Sequence, residues 1–130
     1  MAVNHLQQII IGQVTKPPTD VEVVKQFMRD LVESIGMKRL IEPQAVYVEA
    51  VGNRGMTSCV LIETSHIAWH VWDEETPGLL QFDLYTCGEL VANQVLNIVK
   101  DFFGLINYSV KVFDRAKELT EISNGSNEAQ

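Results

Sequence analysis

The feature that most constrains the fold is a block of four strand-like segments lying between two amphipathic helical segments. Apolar residues recur at helical spacing over 21–37 and again over 89–103. β-branched and alternating apolar residues predict strands at 5–14, 45–51, 56–63, 66–72, 79–86 and 107–113. This order predicts an α+β fold, a two-layer α/β sandwich whose mostly antiparallel sheet carries both helices on one face.

Length and charge narrow the class of protein. A chain of 130 residues can bury its own core, and we predict one domain at 1–118 followed by a polar, disordered tail at 119–130. The net charge of −7 argues against nucleic acid as a partner, because phosphate binding needs a basic surface. The sequence shows no apolar run of membrane-spanning length and no secretory signal. We therefore expect no membrane partner and a cytoplasmic location.

Alternation within the predicted strands places chemically useful side chains on one face of the sheet. If the apolar residues face the helices, then Thr57, His70 and Cys87 all lie on the opposite face. A hydroxyl, an imidazole and a thiol suit proton transfer and covalent chemistry. A structural role for a strand histidine is the competing interpretation, and no Gly-x-Ser-x-Gly elbow surrounds Ser65. No further ligand accompanies His66 and His70, so we predict no metal site.

Two motifs in the middle of the chain carry a resemblance to a known family. They are "TSHIAWHVWDEE" and, shortly after it, "DLYTCGE". In this order and separation they resemble the signature of the bacterial-type S-adenosylmethionine decarboxylases, pyruvoyl enzymes that mature by cutting themselves. The resemblance extends more loosely over residues 4 to about 113. It implies a decarboxylase that supplies the aminopropyl donor for polyamine biosynthesis, spermidine in particular.

The resemblance implies that the chain processes itself at Ser65. The family serine attacks the carbonyl of the preceding residue, here Thr64, and elimination of the resulting ester breaks the chain. The products would be a β chain of residues 1–64 and an α chain that begins at position 65. His70 matches a histidine that assists processing, and Thr57 stands where the family usually has a serine that helps.

The resemblance also implies the cofactor and its partners. A covalent pyruvoyl group derived from Ser65 would condense with the substrate amine and accept electrons as carbon dioxide leaves. Cys87 matches the cysteine that returns a proton to the substrate carbon, and Glu74 matches a glutamate that binds the ribose hydroxyls of S-adenosylmethionine. The family site lies near a dimer interface, so a homodimer of processed protomers is expected.

Several positions depart from the family pattern. Thr64 replaces the usual glutamate, and Asp73 replaces the usual proline. Val51 stands where the family places an aromatic residue that stacks on adenine, with Tyr47 the nearest aromatic, and an acidic residue expected near position 9 is missing. Loss of a stacking partner would weaken nucleoside binding by about 1–3 kcal/mol.

These departures leave two alternatives open. The same chemistry could decarboxylate a basic amino acid, ornithine or arginine, whose cationic side chain would be held by carboxylates. The carboxylates available for this are Glu63, Glu74, Glu75 and Asp83. The second alternative is an unprocessed homologue with a binding or regulatory role, although such a protein has no need to keep serine, histidine and cysteine together.

Overall fold

The strands form one antiparallel sheet, and helices cover one of its faces, in the computed structural model, which describes residues 5–127. The elements in chain order are β1 (Leu6–Val14), α1 (Val21–Ser34), β2 (Gln44–Val48), β3 (Gly55–Ile62), β4 (Ser65–Trp72), β5 (Gly78–Thr86), α2 (Ala92–Phe103), β6 (Leu105–Asp114) and β7 (Thr120–Asn127). Across the sheet the strand order is β2-β3-β4-β5-β1-β6-β7. The predicted α+β sandwich is confirmed.

The helices begin and end where the local sequence favours it. Asp20 caps α1, because its carboxylate accepts hydrogen bonds from the backbone amides of Glu22 and Val23. α2 ends at Gly104, whose φ of 63° is a left-handed conformation that glycine adopts without steric cost. A Cβ at Gly104 would lie 2.2 Å from the Thr15 side chain, so no larger residue fits there.

Both helices pack on the same face of the sheet and share its core. Trp69 of β4 is fully buried, donates from Nε1 to the Met28 sulfur of α1 at 3.1 Å, and contacts the Phe103 ring of α2 edge-on at 4.8 Å. Phe27 of α1 stacks on Phe102 of α2 with ring centroids 3.8 Å apart. Burial of these large apolar side chains is the main stabilising contribution to the fold.

β1 lies in the middle of the sheet although it comes first in the chain. It pairs on one side with β5, where Gln7 lies opposite Tyr85, and on the other side with β6, where Gln7 lies opposite Phe113. β2 to β5 form a meander, as short connections between antiparallel neighbours allow. The start of β1 and the end of β5 therefore lie side by side, which brings His5 close to Cys87.

The face of the sheet opposite the helices, which we call the open face, has an alternating polar and apolar surface. Thr57, His70 and Cys87 lie on it, as the alternation predicts. Ile11 and Leu79 also lie on this face and are 45% and 43% exposed. An antiparallel sheet often leaves one face to solvent, but a face with exposed branched apolar side chains is also suited to protein contacts.

The predicted disordered tail is wrong for most of its length. Residues 120–127 form β7, which pairs antiparallel with β6 through contacts such as Ser109↔Ser126 and Val110↔Gly125. The strand is polar because it is an edge strand held by main-chain hydrogen bonds, so its side chains carry little of the signal that predicts strands. The domain thus extends beyond the predicted boundary at 118, and residues 128–130 lie outside the described part.

Two smaller differences concern the helices. α1 ends at Ser34 rather than at 37, and α2 begins at Ala92 rather than at 89. Such shifts of a few residues are expected where helix ends fray into capping turns. In the described residues, neither helix has the length and apolar character that crossing a membrane requires.

Candidate active site

The cleavage position expected from the sequence lies in a two-residue turn between β3 and β4. Ile62 pairs with Ser65 across this hairpin, and Glu63 and Thr64 form the turn. Thr64 has a φ of 57°, in the left-handed region that favours glycine. A β-branched residue held there costs about 1–3 kcal/mol of conformational strain. The strain therefore lies at the residue whose carbonyl Ser65 is expected to attack.

Hydrogen bonds hold the end of β5 against this turn. The Cys87 amide N–H donates to Ser65 Oγ at 3.0 Å, and the Cys87 thiol donates to the Thr64 carbonyl oxygen at 3.2 Å. A donor on the carbonyl oxygen polarises the carbonyl group toward nucleophilic attack. Ser65 is only 8% exposed, which limits competition from water. The structure thus brings together the predicted residues Thr64, Ser65 and Cys87.

Two further side chains contact the Cys87 thiol and were not predicted from the sequence. The Tyr85 hydroxyl oxygen lies 3.4 Å and His5 Nδ1 lies 3.6 Å from Cys87 Sγ. The hydroxyl and Nδ1 also lie 2.8 Å from each other. The Tyr-x-Cys spacing places Tyr85 and Cys87 on one strand face and is a usable signal. His5 gives no such signal, because its position depends on the pairing of β1 with β5.

Hydrogen bonding within this group changes how its members ionise. The hydrogen bond from the Tyr85 hydroxyl lowers the pKa of the Cys87 thiol, and burial opposes this shift without cancelling it. The same bond raises the pKa of Tyr85, because a phenolate beside the thiolate is unfavourable. The Arg115 guanidinium, 3.9 Å from the centre of the Tyr85 ring, favours the negative charge on both groups.

A second group of predicted site residues lies near the other end of β4. Thr57 Oγ1 lies 3.0 Å from His70 Nδ1, and the Trp72 ring lies 5.9 Å from the His70 ring. Glu74, in the loop after β4, accepts a hydrogen bond from the Arg54 amide at 3.2 Å. We call this second group the distal cluster; it consists of Thr57, His70, Trp72 and Glu74. We call the first group the cleavage cluster; it consists of His5, Thr64, Ser65, Tyr85 and Cys87.

The two clusters do not meet within one chain. Ser65 pairs with Ile62 and His70 pairs with Thr57, so the serine and the histidine are separated by the strand from position 65 to position 70. At about 3.3 Å per residue, this places them about 17 Å apart. Thr57 and His70 therefore share the open face with Cys87 but form no single cluster with it. Alternation along a strand predicts the face of a side chain and not its distance from a neighbour on another strand.

Asp73 fixes the loop that carries the distal cluster. Its carboxylate accepts hydrogen bonds from the Tyr47 hydroxyl at 2.7 Å and from Arg54 Nε at 2.8 Å, and its side chain is only 5% exposed. The bond to Asp73 raises the pKa of Tyr47 and also raises the pKa of Arg54. Asp73, which stands in place of the expected proline, thus acts as an anchor.

The structure shows which aromatic side chain could take the place of the missing adenine-stacking residue. Val51 is 97% exposed in the turn between β2 and β3. Tyr47 packs against the hydrophobic core, so its ring lies on the helix side of the sheet rather than on the open face. Trp72, which the sequence interpretation treated only as a strand residue, is the aromatic side chain that lies beside His70.

Comparisons with known proteins identify the family of the chain. The model of a family described as S-adenosylmethionine decarboxylase matches residues 12–116. The chain belongs to the S-adenosylmethionine decarboxylase family. One curated relative, an S-adenosylmethionine decarboxylase proenzyme from Archaeoglobus fulgidus, is 31% identical over 65 residues, which are 50% of this chain and 56% of the relative. The matched segment thus spans little more than half the length of that relative. The predicted family is confirmed, and its bacterial-type subdivision stays a prediction.

A solved structure supports the fold of this S-adenosylmethionine decarboxylase family member. The structure titled "Trypanosoma brucei AdoMetDC-delta26 monomer" superimposes with a TM-score of 0.58 at 16% identity. The superposition covers 83% of this chain and 45% of the trypanosomal chain. At this identity the likeness concerns the fold alone.

The cleavage cluster of this S-adenosylmethionine decarboxylase family member has a definite chemical capacity. It polarises the Thr64 carbonyl, holds the Ser65 hydroxyl against an amide donor, and presents to the same position a thiol whose pKa is lowered by the Tyr85 hydrogen bond. Within residues 5–127, histidine, cysteine and carboxylate side chains form no group of three or more that could hold a metal ion. The hydroxyl, the polarised carbonyl and the thiol of the cluster are groups suited to acyl transfer and proton transfer.

Proposed function

We propose that this chain is a pyruvoyl-dependent S-adenosylmethionine decarboxylase that cuts itself between Thr64 and Ser65 and supplies an aminopropyl donor for polyamine synthesis. Membership of the family supports the reaction. One observation carries the self-processing step: a serine hydroxyl, a strained carbonyl and a thiol donor share one hydrogen-bonded cluster at a turn.

The residues around position 65 suit a pyruvoyl group. Such a group, once formed, supplies the electron sink for loss of carbon dioxide. The Cys87 thiol lies beside the same turn, where it donates to the Thr64 carbonyl oxygen at 3.2 Å. Cys87 is therefore placed to offer a proton to a group formed at position 65. The lowered pKa of the thiol makes its proton easier to release.

Intact-mass analysis tests the self-processing step. The purified protein should contain two fragments split between Thr64 and Ser65, and the fragment that begins at position 65 should have no free α-amino group. Ser65→Ala should give one uncut chain. Cys87→Ala should still cut, but more slowly because the thiol no longer polarises the Thr64 carbonyl, and its turnover should be slow as well. A wild-type chain that stays at 14.6 kDa on long incubation would contradict the proposal and favour an unprocessed homologue with a binding role.

The separation of the two clusters supports a homodimer as the active form. His70 lies about 17 Å from Ser65 in the same chain, too far for it to assist cleavage there. The open face carries the distal cluster and, through Tyr85 and Cys87, the edge of the cleavage cluster, together with exposed apolar side chains such as Ile11 and Leu79. If two open faces pack about a twofold axis, each distal cluster can approach the cleavage cluster of the other copy, since a twofold interface is self-complementary.

Mixing inactive variants tests this arrangement. A His70→Ala chain keeps its own Ser65, and a Ser65→Ala chain keeps its own His70. Refolded together, the mixture should cut the His70→Ala chain, whereas each variant alone should cut slowly or not at all. A tag on one variant identifies which chain is cut. Equal cleavage of the His70→Ala chain with and without the second variant would show that His70 does not act between copies.

The substrate is proposed from the distal cluster. Trp72 offers an aromatic surface beside His70, and Glu74 lies in an open cleft of about 350 Å³ that Trp72 also lines. An aromatic ring next to a carboxylate suits an adenosyl group with hydroxyls to bind. The basic amino acids remain a second candidate, because Glu74 and Glu75 together line the cleft and would attract a cation. Carbon dioxide release from S-adenosylmethionine, compared with ornithine and arginine, distinguishes the two.

A further inference from the structure

Three protic side chains surround one position in the cleavage cluster. The Cys87 thiol, the Tyr85 hydroxyl and His5 Nδ1 form a closed triangle with sides of 3.4, 2.8 and 3.6 Å. The fold holds this triangle in place from two directions. In the register of β1 with β5, Gln7 lies opposite Tyr85, so His5 follows opposite Cys87. From the other side, the Arg115 amide donates to the His5 carbonyl at 2.7 Å.

The proton donation proposed for Cys87 requires a proton source beside the thiol, and this triangle contains two candidate donors. A thiol that gives its proton to a substrate carbon must recover a proton before the next turnover. The Thr64 carbonyl cannot supply it, because after cleavage residue 64 ends in a carboxylate that only accepts hydrogen bonds. The Ser65 oxygen also leaves its side chain in the processing reaction. Among the described residues, Tyr85 and His5 are the proton-bearing side chains within hydrogen-bond reach of the thiol.

We propose that Tyr85 and His5 form a proton relay that reloads Cys87 after each turnover, an inference that rests on the proposed decarboxylase function. The S–H bond of Cys87 breaks as its proton passes to the substrate carbon, which leaves a thiolate. The Tyr85 O–H then gives its proton to the sulfur, and His5 gives the proton on Nδ1 to the phenolate oxygen. His5 takes a proton from water at Nε2 and returns to its starting tautomer after exchange. No atom changes oxidation state in these steps.

The charges around the triangle are consistent with a relay. Tyr85 lowers the pKa of the thiol chiefly by hydrogen bonding, and Arg115 lowers it further through its positive charge. The other titratable groups nearby lie beyond Tyr85: the His66 ring is 5.6 Å from the tyrosine ring, and His66 faces Asp83 at 3.8 Å. A thiolate stabilised in this way persists until a neighbour protonates it, so the donor next to it controls reloading.

Alkylation of the uncut protein tests the triangle without requiring activity. In a Ser65→Ala, Cys59→Ser background, Cys87 is the remaining cysteine. Tyr85→Phe should slow its reaction with iodoacetamide at neutral pH by about tenfold, because a hydrogen bond to the thiolate is lost. The rates should converge at high pH, where the thiol is ionised in both proteins. His66→Gln, which alters the ring beside Tyr85 but not the triangle, should leave the rate unchanged.

The first turnover tests the relay itself. Processed Tyr85→Phe and His5→Gln proteins start with a protonated Cys87, so a rapid-quench experiment should show a first turnover close to the wild-type rate. Later turnovers should be slower by about tenfold, because water must reload the thiolate without a positioned donor. If both variants match the wild-type protein in the rate of the first turnover and in the steady-state rate, the proposed relay is wrong. Failure of the wild-type chain to cut at position 65 would instead count against the proposed function. The alkylation experiment uses uncut protein, so its result does not depend on that function.

Discussion

Relief of the strain at Thr64 should slow self-processing. An L-residue in the left-handed region costs roughly 1–2 kcal/mol, and Thr64 is β-branched with a φ of 57°. Thr64→Gly removes this cost from the precursor. If cleavage releases the strain before its transition state, the barrier rises by a similar amount, and the rate falls about tenfold because 1.4 kcal/mol corresponds to a factor of ten.

The assay follows the uncut chain by intact mass after the protein is refolded from denaturant. Thr64→Ala is the matched control, because alanine keeps the Cβ and most of the left-handed penalty but loses the hydroxyl that donates to the Glu63 carbonyl at 2.6 Å. We expect the alanine variant to cut at a rate closer to wild type than the glycine variant. Equal rates for glycine and alanine, or faster cleavage with glycine, would refute the role of strain.

The remaining predictions concern the distal cluster and the C-terminal strand. Trp72→Ala should raise the KM for S-adenosylmethionine by about fivefold to 150-fold, since a stacked base contributes about 1–3 kcal/mol. In the same steady-state assays the KM for ornithine or arginine should stay nearly unchanged. Asp73→Asn should lower the free energy of unfolding in urea by about 1–2 kcal/mol, because the buried carboxylate that binds Tyr47 and Arg54 loses its charge. Deletion of 119–130 should lower the melting temperature by a few degrees, about what loss of one edge strand costs, and leave cleavage at Ser65 unaffected.

The order of elements could be predicted from the sequence because each element carries its own periodic pattern. The apolar stripe of α1 and the alternation of β3 to β5 indicate both the type of element and its buried face. β7 could not be predicted in this way, because Thr120–Asn127 has mostly polar side chains and gains its stability from main-chain bonds to β6. An edge strand of this kind has the same composition as a disordered tail.

The sequence could point to candidate residues for the site but not to their arrangement. The contact of Ser65 with Cys87 follows from the register of β4 with β5, in which His66 lies opposite Tyr85. No local pattern sets that register, nor the one that brings His5 from the start of the chain to the same thiol. The motif also gave no sign that His70 lies far from Ser65. The two residues are close in sequence, but in an extended strand five residues span about 17 Å.

The charge of the chain does not decide between the two candidate substrates. S-adenosylmethionine carries a sulfonium cation and the basic amino acids carry an ammonium or guanidinium group, so a net charge of −7 favours the approach of either. The difference lies in the adenine ring, which needs an aromatic partner that a basic amino acid does not. Val51 and Tyr47 cannot be that partner on the open face, whereas Trp72 lies there beside His70. Under the proposed function, the choice of substrate depends on Trp72, and this side chain would contact a substrate bound at position 65 only if a second copy brings the distal cluster there.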